Sequence, residues 1–202
     1  MKLSNLIWVL ALAGAAAACN SGPPVTNVTP PDMGGGGAGG GTVDACVNEE
    51  NEAVYAELVY TDCEGVTHTG DDASSAIGSD CITGTANPAL CPAGSEPLLV
   101  GCGAEAGDVL RCFPNCPQET IDAAAACVTD CVQTATAEAA PPGLSDDCVA
   151  CTGETVACGA AFCTTVCIAD SNAPDCIDCR CENNCIQEFD TCSGLPSDGD
   201  CE

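Results

Sequence analysis

Sulfur is the reactive element this chain carries in quantity, with 21 cysteines in 202 residues. In the helical half of the chain three pairs have C-x3-C spacing: Cys127/Cys131, Cys163/Cys167 and Cys181/Cys185. On a helix, that spacing sets both sulfurs on one face. They are then better placed to bridge a neighbouring helix than each other, or, as thiolates, to hold a soft ion such as Cu(I) or Zn. Two further pairs, Cys148/Cys151 and Cys176/Cys179, have the C-x2-C spacing of thiol–disulfide exchange. That chemistry needs a thiolate stabilised at a helix N-terminus. Neither pair follows a strand in a βαβ pattern, and cysteines this frequent produce the spacing by chance. Both are read as structural bridges.

The remaining catalytic inventory is thin. His68 is the only histidine, so any His-dependent triad or multi-histidine metal site would have to use it. It stands in a turn-like stretch and reads as a surface residue. Thirty carboxylates could in principle supply a glycosidase pair, but no aromatic-lined cleft selects two of them. Asp198-Gly199-Asp200 has the start of a calcium-loop pattern without the remainder of an EF-hand. The glycine run lies in a Pro/Gly-rich stretch rather than between strand and helix, so it is not a phosphate loop. No catalytic residue, metal ligand or cofactor is assigned, and the chain reads as a non-enzyme.

The N-terminus indicates a compartment. A basic start at Lys2, an apolar stretch from Leu6 to Leu12 and the small residues Ala15 to Ala18 form an export signal, too short to span a membrane. Cys19 follows at once. This layout resembles the lipobox of bacterial lipoproteins, which implies that Cys19 is acylated after cleavage. The pattern departs from a strict lipobox at Ala16, where leucine is usual. Asn20 rather than Asp after the cysteine implies an outer-membrane lipoprotein anchored through its lipid. Residues 19–45 continue as a Pro/Gly-rich tether, with Gly34 to Gly41 broken only by Ala38 and a reach of roughly 25–30 Å. The reading is therefore a signal peptide over 1–18, and a lipidated, exported, cell-envelope protein thereafter.

An oxidising compartment favours disulfides, and the composition needs them. Trp8 lies in the signal, and the aromatics beyond it are Tyr55, Tyr60, Phe113, Phe162 and Phe189. So few large apolar side chains offset poorly a chain entropy of roughly 1–2 kcal/mol per residue. Disulfides at about 2–4 kcal/mol each are the natural supplement. The candidates are Cys46, Cys63, Cys81, Cys91, Cys102, Cys112 and Cys116 in a first stretch. In a second stretch they are Cys127, Cys131, Cys148, Cys151, Cys158, Cys163, Cys167, Cys176, Cys179, Cys181, Cys185, Cys192 and Cys201, about ten bridges in all. Beyond the signal, 30 acids stand against only Arg111 and Arg180, a side-chain charge of −28. Such a surface repels nucleic acid and anionic headgroups. It keeps an exported protein soluble, and it leaves a protein or cation ligand as the open partner class.

The elements fall into two stretches. Residues 46–117 read as a cysteine-rich β or irregular region. Ala53 to Tyr60 are rich in strand formers, Asp62-Cys63-Glu64-Gly65 make a turn, and Val66 to Thr69 return. Glu49, Glu50 and Glu52 allow the start to be helical instead. Residues 70–96 read as loop, and Pro97 to Val100 with Val109 to Phe113 as a second hairpin. From Pro117 the period becomes helical, with a stripe at Ile121, Ala124, Ala125, Val128, Val132, Ala135 and Ala139, ended by Pro141-Pro142-Gly143. A second helix capped by Ser145, a third from Phe162 to Ile168 and a fourth opening at Asp175 complete a bundle over 118–193. Gly194 stops the last, before an acidic tail over 194–202.

The C-x3-C spacings between about 112 and 192 resemble helical hairpins joined by paired disulfides. They also resemble the thiolate-lined bundles of bacterial copper-storage proteins, although methionine is almost absent. The expected architecture is α+β: a small disulfide-rich region with β-hairpins, followed by a cross-linked bundle of short helices. The expected role is a structural or ligand- or protein-binding surface module, with thiolate metal binding as the alternative.

Overall fold

Asn48 opens the first element by accepting the backbone N–H of Asn51 at 2.9 Å, and three acids follow it. Carboxylates in a first turn complement the positive end of the helix dipole. In the computed structural model, which describes residues 43–62, 65–83, 101–167, 171, 173–196 and 201, helix α1 accordingly runs Glu49–Glu57. The strand reading of Ala53 to Tyr60 is corrected here, for only its end is extended. Strands β1 (Val59–Thr61) and β2 (Thr67–Thr69) pair antiparallel, with Tyr60 opposite His68. Asp62 shapes the connection, its Oδ1 accepting from Val66 N at 2.8 Å.

Two more helices replace expected loop and hairpin. Helix α2 covers Gly70–Thr83 and α3 covers Gly103–Cys112, where Val109 to Phe113 had read as strand. The expected loop beyond Thr83 and the strand Pro97 to Val100 lie outside the described residues. Helix α2 is polar in composition but ordered in pattern: Ala73, Ile77 and Cys81 are fully buried, with Ser74, Gly78 and Ile82 beside them.

Helix α4 (Gln118–Ala139) buries Ile121, Ala124, Val128, Val132 and Ala135, while Ala125 is half-buried and Ala139 exposed. Gly143, at φ +92°, turns the chain where a side chain would strike the Ala137 backbone at 2.9 Å. Helix α5 then runs unbroken from Asp146 to Cys167, so the expected second and third helices are one. Its two glycines do not interrupt it because packing on both sides fixes its course. The expected fourth helix is instead two, α6 (Pro174–Glu182) and α7 (Cys185–Ser193). Asn184 at φ +60° breaks the run between them.

The described residues form one compact unit, an α+β fold of seven helices and one two-stranded hairpin tied by many disulfides. Helix α5 is its axis: it packs most extensively on α4 and also touches α2, α3, α6 and α7. It is also the one described helix long and apolar enough to cross a membrane, a property it shares with core helices of soluble folds. The core contains mainly alanine, valine and half-cystine, with Leu58, Ile77 and Leu144 its largest fully buried side chains. One polar clamp is built into it. Asn51, fully buried, donates from Nδ2 to Ala45 O and Ser145 Oγ, both at 2.9 Å, and accepts Ser145 N at 2.8 Å. Ser145 thus meets α1 across 94 positions of sequence.

Candidate functional site

Every cysteine among the described residues is in a disulfide, nine bonds in all. Cys46–Cys148, Cys81–Cys131 and Cys102–Cys127 tie the first stretch to α4 and α5. Cys151–Cys192 and Cys158–Cys185 fasten α7 to α5, while Cys163–Cys179 and Cys167–Cys176 fasten α6 to it. Cys181–Cys201 returns the C-terminal end to α6, and Cys112–Cys116 closes a single turn. Cys19, Cys63, Cys91, Ile168 and Asp198-Gly199-Asp200 lie outside the described residues.

This pairing answers the thiol chemistry directly. Cys127/Cys131, Cys181/Cys185 and Cys148/Cys151 each send their two sulfurs to different elements, whereas Cys163/Cys167 of α5 and Cys176/Cys179 of α6 bond each other; none of these five pairs forms a bond within itself. A half-cystine offers neither a nucleophilic nor a metal-binding thiolate. The thiolate metal site is therefore corrected: the C-x3-C sulfurs are consumed as cross-links. Among the described residues no group of three or more His, Cys, Asp or Glu side chains is arranged to hold an ion. His68 lies in β2, its Nε2 2.9 Å from Asp62 Oδ2 across the hairpin turn. It is therefore a local turn contact.

What the sequence did not announce is a groove of about 560 Å³ along α5. That size is within the range of small-molecule sites. Helices α2 and α3 form one wall, with Ser75, Ser79, Ala106 and Leu110; α6 and α7 form the other, with Ile177, Arg180, Ile186 and Phe189. Val156, Gly159, Ala160 and Thr164 of α5 lie between them. From Thr152 to Thr164 the helix rises ~18 Å, which gives the groove its length. Small residues give it depth: neither Gly159 nor Ala160 reaches far from the α5 backbone. A second hollow, between the Cys151–Cys192 and Cys158–Cys185 bridges, has a volume of only about 10 Å³, no more than the space of one water.

The groove's electrostatics are uneven. Its charged lining residues are Asp71, Asp72 and Arg180. Both aspartates are exposed in the first turn of α2, where the helix dipole accounts for them. Arg180 is half-buried, and its Nη2 donates to Thr155 Oγ1 at 3.2 Å. Thr155 in turn donates to Cys185 O at 3.0 Å, which fixes the hydroxyl. Burial pulls the guanidinium pKa down and the nearby Asp190 carboxylate opposes that pull; arginine remains charged throughout. Tyr55, at the groove's end, donates its hydroxyl to Cys148 Sγ at 3.2 Å, and burial pushes its pKa up to about 12.

The second arginine makes the contrast. Arg111 stands exposed on α3 and pairs with Asp108 one turn before it. Of the two arginines, one is on the surface and the other is turned inward against Gly159. A Cβ added at Gly159 would lie 3.8 Å from Arg180 Cδ. In sequence, Arg180 was only one basic residue near the end of a short helix. Its inward course depends on the α5–α6 cross-links, whose pairing spacing alone does not give. No family model, curated protein or solved structure matches the chain.

Proposed function

We propose that the chain is a non-enzymatic binding module of the cell envelope, lipidated at Cys19 and held off the outer membrane by residues 19–45. Its binding surface is the groove along α5. The observation that carries this reading is the union of a disulfide-locked fold with an open, ligand-sized groove. The extensive disulfides are compatible with an exported protein, since such bonds persist in oxidising compartments. The lipobox-like run ending at Cys19 and the glycine-rich stretch after it support a tethered anchor. The surface charge argues against nucleic acid as a partner. The absence of free thiols at the C-x2-C pairs and the local role of His68 support a role without catalysis.

Intact mass of the protein from its native envelope, with and without reduction and alkylation, tests this. The expected species is residues 19–202 plus acyl chains, roughly 20 Da below the reduced mass and inert to alkylation until reduced. A chain without acyl groups overturns the anchor. A chain with many cysteines alkylated only after metal removal overturns the disulfide module and restores thiolate metal binding.

A further inference from the structure

We infer that the groove takes an elongated apolar ligand ending in a single anionic group, a long-chain monocarboxylate in class, with its head on the guanidinium of Arg180. This rests on the groove being the binding surface proposed above. Between its ends the groove has apolar side chains that include Val156, Ala160, Ile177 and Ile186, interspersed with serine and threonine hydroxyls. A length of ~18 Å along α5 suits a chain rather than a compact ring. Such walls reward burial of apolar surface by about 25 cal/mol per Å² without selecting a polar body. Selection then falls to the polar groups, which are mostly uncharged serine and threonine hydroxyls, and Arg180 is the one cation among them.

Arg180 could have reached solvent from a short surface helix in so acidic a protein, as Arg111 does. Instead its stem lies over Gly159, and Thr155 holds one of its N–H groups. A guanidinium presents a planar fork that matches the two oxygens of a carboxylate, and such charge-assisted pairs are roughly twice as strong as neutral ones. The bound head shares this cation with Asp190, whose charge already faces it. The exposed Asp71 and Asp72 lie at the Tyr55 end of α2, in a position that repels a carboxylate placed there.

The overall charge adds a signature. An anion approaching this chain is repelled at long range and captured at short range. Salt shortens the screening length from about 30 Å at 0.01 M to about 8 Å at 0.15 M, which weakens the first effect more than the second. Association of the ligand therefore quickens as salt is added, the reverse of ordinary steering.

The test uses the oxidised mature chain and three probes below their micelle concentrations: hexadecanoate, its methyl ester and hexadecyltrimethylammonium. Calorimetric titration should show one hexadecanoate per chain, with the ester at least about tenfold weaker. Arg180→Gln should remove most of that difference and leave ester binding unchanged, and Ala160→Phe, which plugs the groove, should abolish both. Far-UV circular dichroism and disulfide mass establish that each variant is folded. Equal affinity for acid and ester on the unaltered chain, or tighter binding of the ammonium probe, overturns the head assignment while the groove stands. If none of the three probes binds the folded chain, the groove itself is not the binding surface and both readings fall.

Discussion

Gly153 and Gly159 stand six residues apart on α5, and the same substitution should move stability in opposite directions at the two. A Cβ at Gly153 would lie 2.1 Å from Thr129 Oγ1 and 2.6 Å from the Ala125 carbonyl oxygen. The threonine can rotate away. The carbonyl belongs to the α4 backbone, so the helices must part by about 0.7 Å to restore an ordinary carbon–oxygen contact. A gap of that order forfeits a quarter to a half of each dispersion contact it opens. The faces affected include Val128, Val132, Val149 and Ala157 of the core. Overpacking of this kind typically costs about 1–3 kcal/mol. Against it stands the gain of about 0.5–1 kcal/mol for alanine over glycine within a helix. At Gly159 only the gain applies, because the added methyl meets Arg180 Cδ at 3.8 Å, an ordinary contact. Subtracting one variant from the other cancels helix propensity and isolates the overpacking term. Thermal unfolding followed by far-UV circular dichroism, disulfides intact, should place G159A above the parent and G153A below it. At about 2–4 °C per kcal/mol for a chain of this size, the two Tm values should differ by about 2–12 °C. If G153A is as stable as G159A, the glycine does not set the α4–α5 spacing and the account of this interface is wrong.

The cross-links should rank by the loops they close. With Cys46–Cys148 separated by 102 residues, C46A/C148A should lose about 4.7 kcal/mol in guanidinium unfolding, against about 2 for C112A/C116A, whose separation is 4; equal losses would reject the loop-entropy explanation. Asn51→Ala removes the buried clamp and strands the Ser145 N–H, so it should cost about 2–3 kcal/mol by the same measurement, and a cost below 0.5 would show the clamp to be incidental. Tyr55 is pushed up to about 12 by burial and Tyr60 is raised by burial and by its bond to Asp80 at 2.5 Å. Folding thus favours the neutral phenols: this stabilisation is complete below the ordinary tyrosine pKa near 10 and is lost as pH rises through the folded values. Tyrosinate absorbance of the native, oxidised chain should stay flat through pH 10, where the reduced and unfolded chain titrates; a native titration at 10 would place both rings in solvent.

The sequence made the helical half readable because α4 carries a stripe of Ile121, Val128 and Val132 at helical spacing, bounded by Pro117 and Pro141. It concealed α2 because serine, glycine and aspartate fill the same spacing there, and only Ile77 and Ile82 are large. The signal in α2 was present as burial at every fourth position, but burial of Gly78 depends on α5 lying against it. Beneath Gly78, Thr152 and Val156 come within about 3 Å of where a Cβ would be. The run through α5 misled for the opposite reason: Gly153 and Gly159 suggest breaks, whereas the first permits close packing on α4 and the second lies within a continuous helix under the Arg180 stem. Spacing told that sulfurs would share faces but not which faces would meet. The groove, assembled from six helices of the cross-linked fold, therefore had no local signature.

The C-x2-C pair at Cys148 and Cys151 has a mechanical consequence. The chain enters the fold beside its far end, with Ala45 N and Cys46 N donating to the Cys192 and Ser193 carbonyls. A pull arriving through the residues before Val43 would shear those two bonds first. It would then meet Cys46, pass through sulfur to Cys148, run along one turn of α5 to Cys151, and cross through sulfur to Cys192. Everything between Cys46 and Cys148, including α1, the hairpin, α2, α3 and α4, lies in a loop that carries no tension. Drag on the domain would thus reach α7 along an almost inextensible covalent path, leaving most of the fold slack behind it.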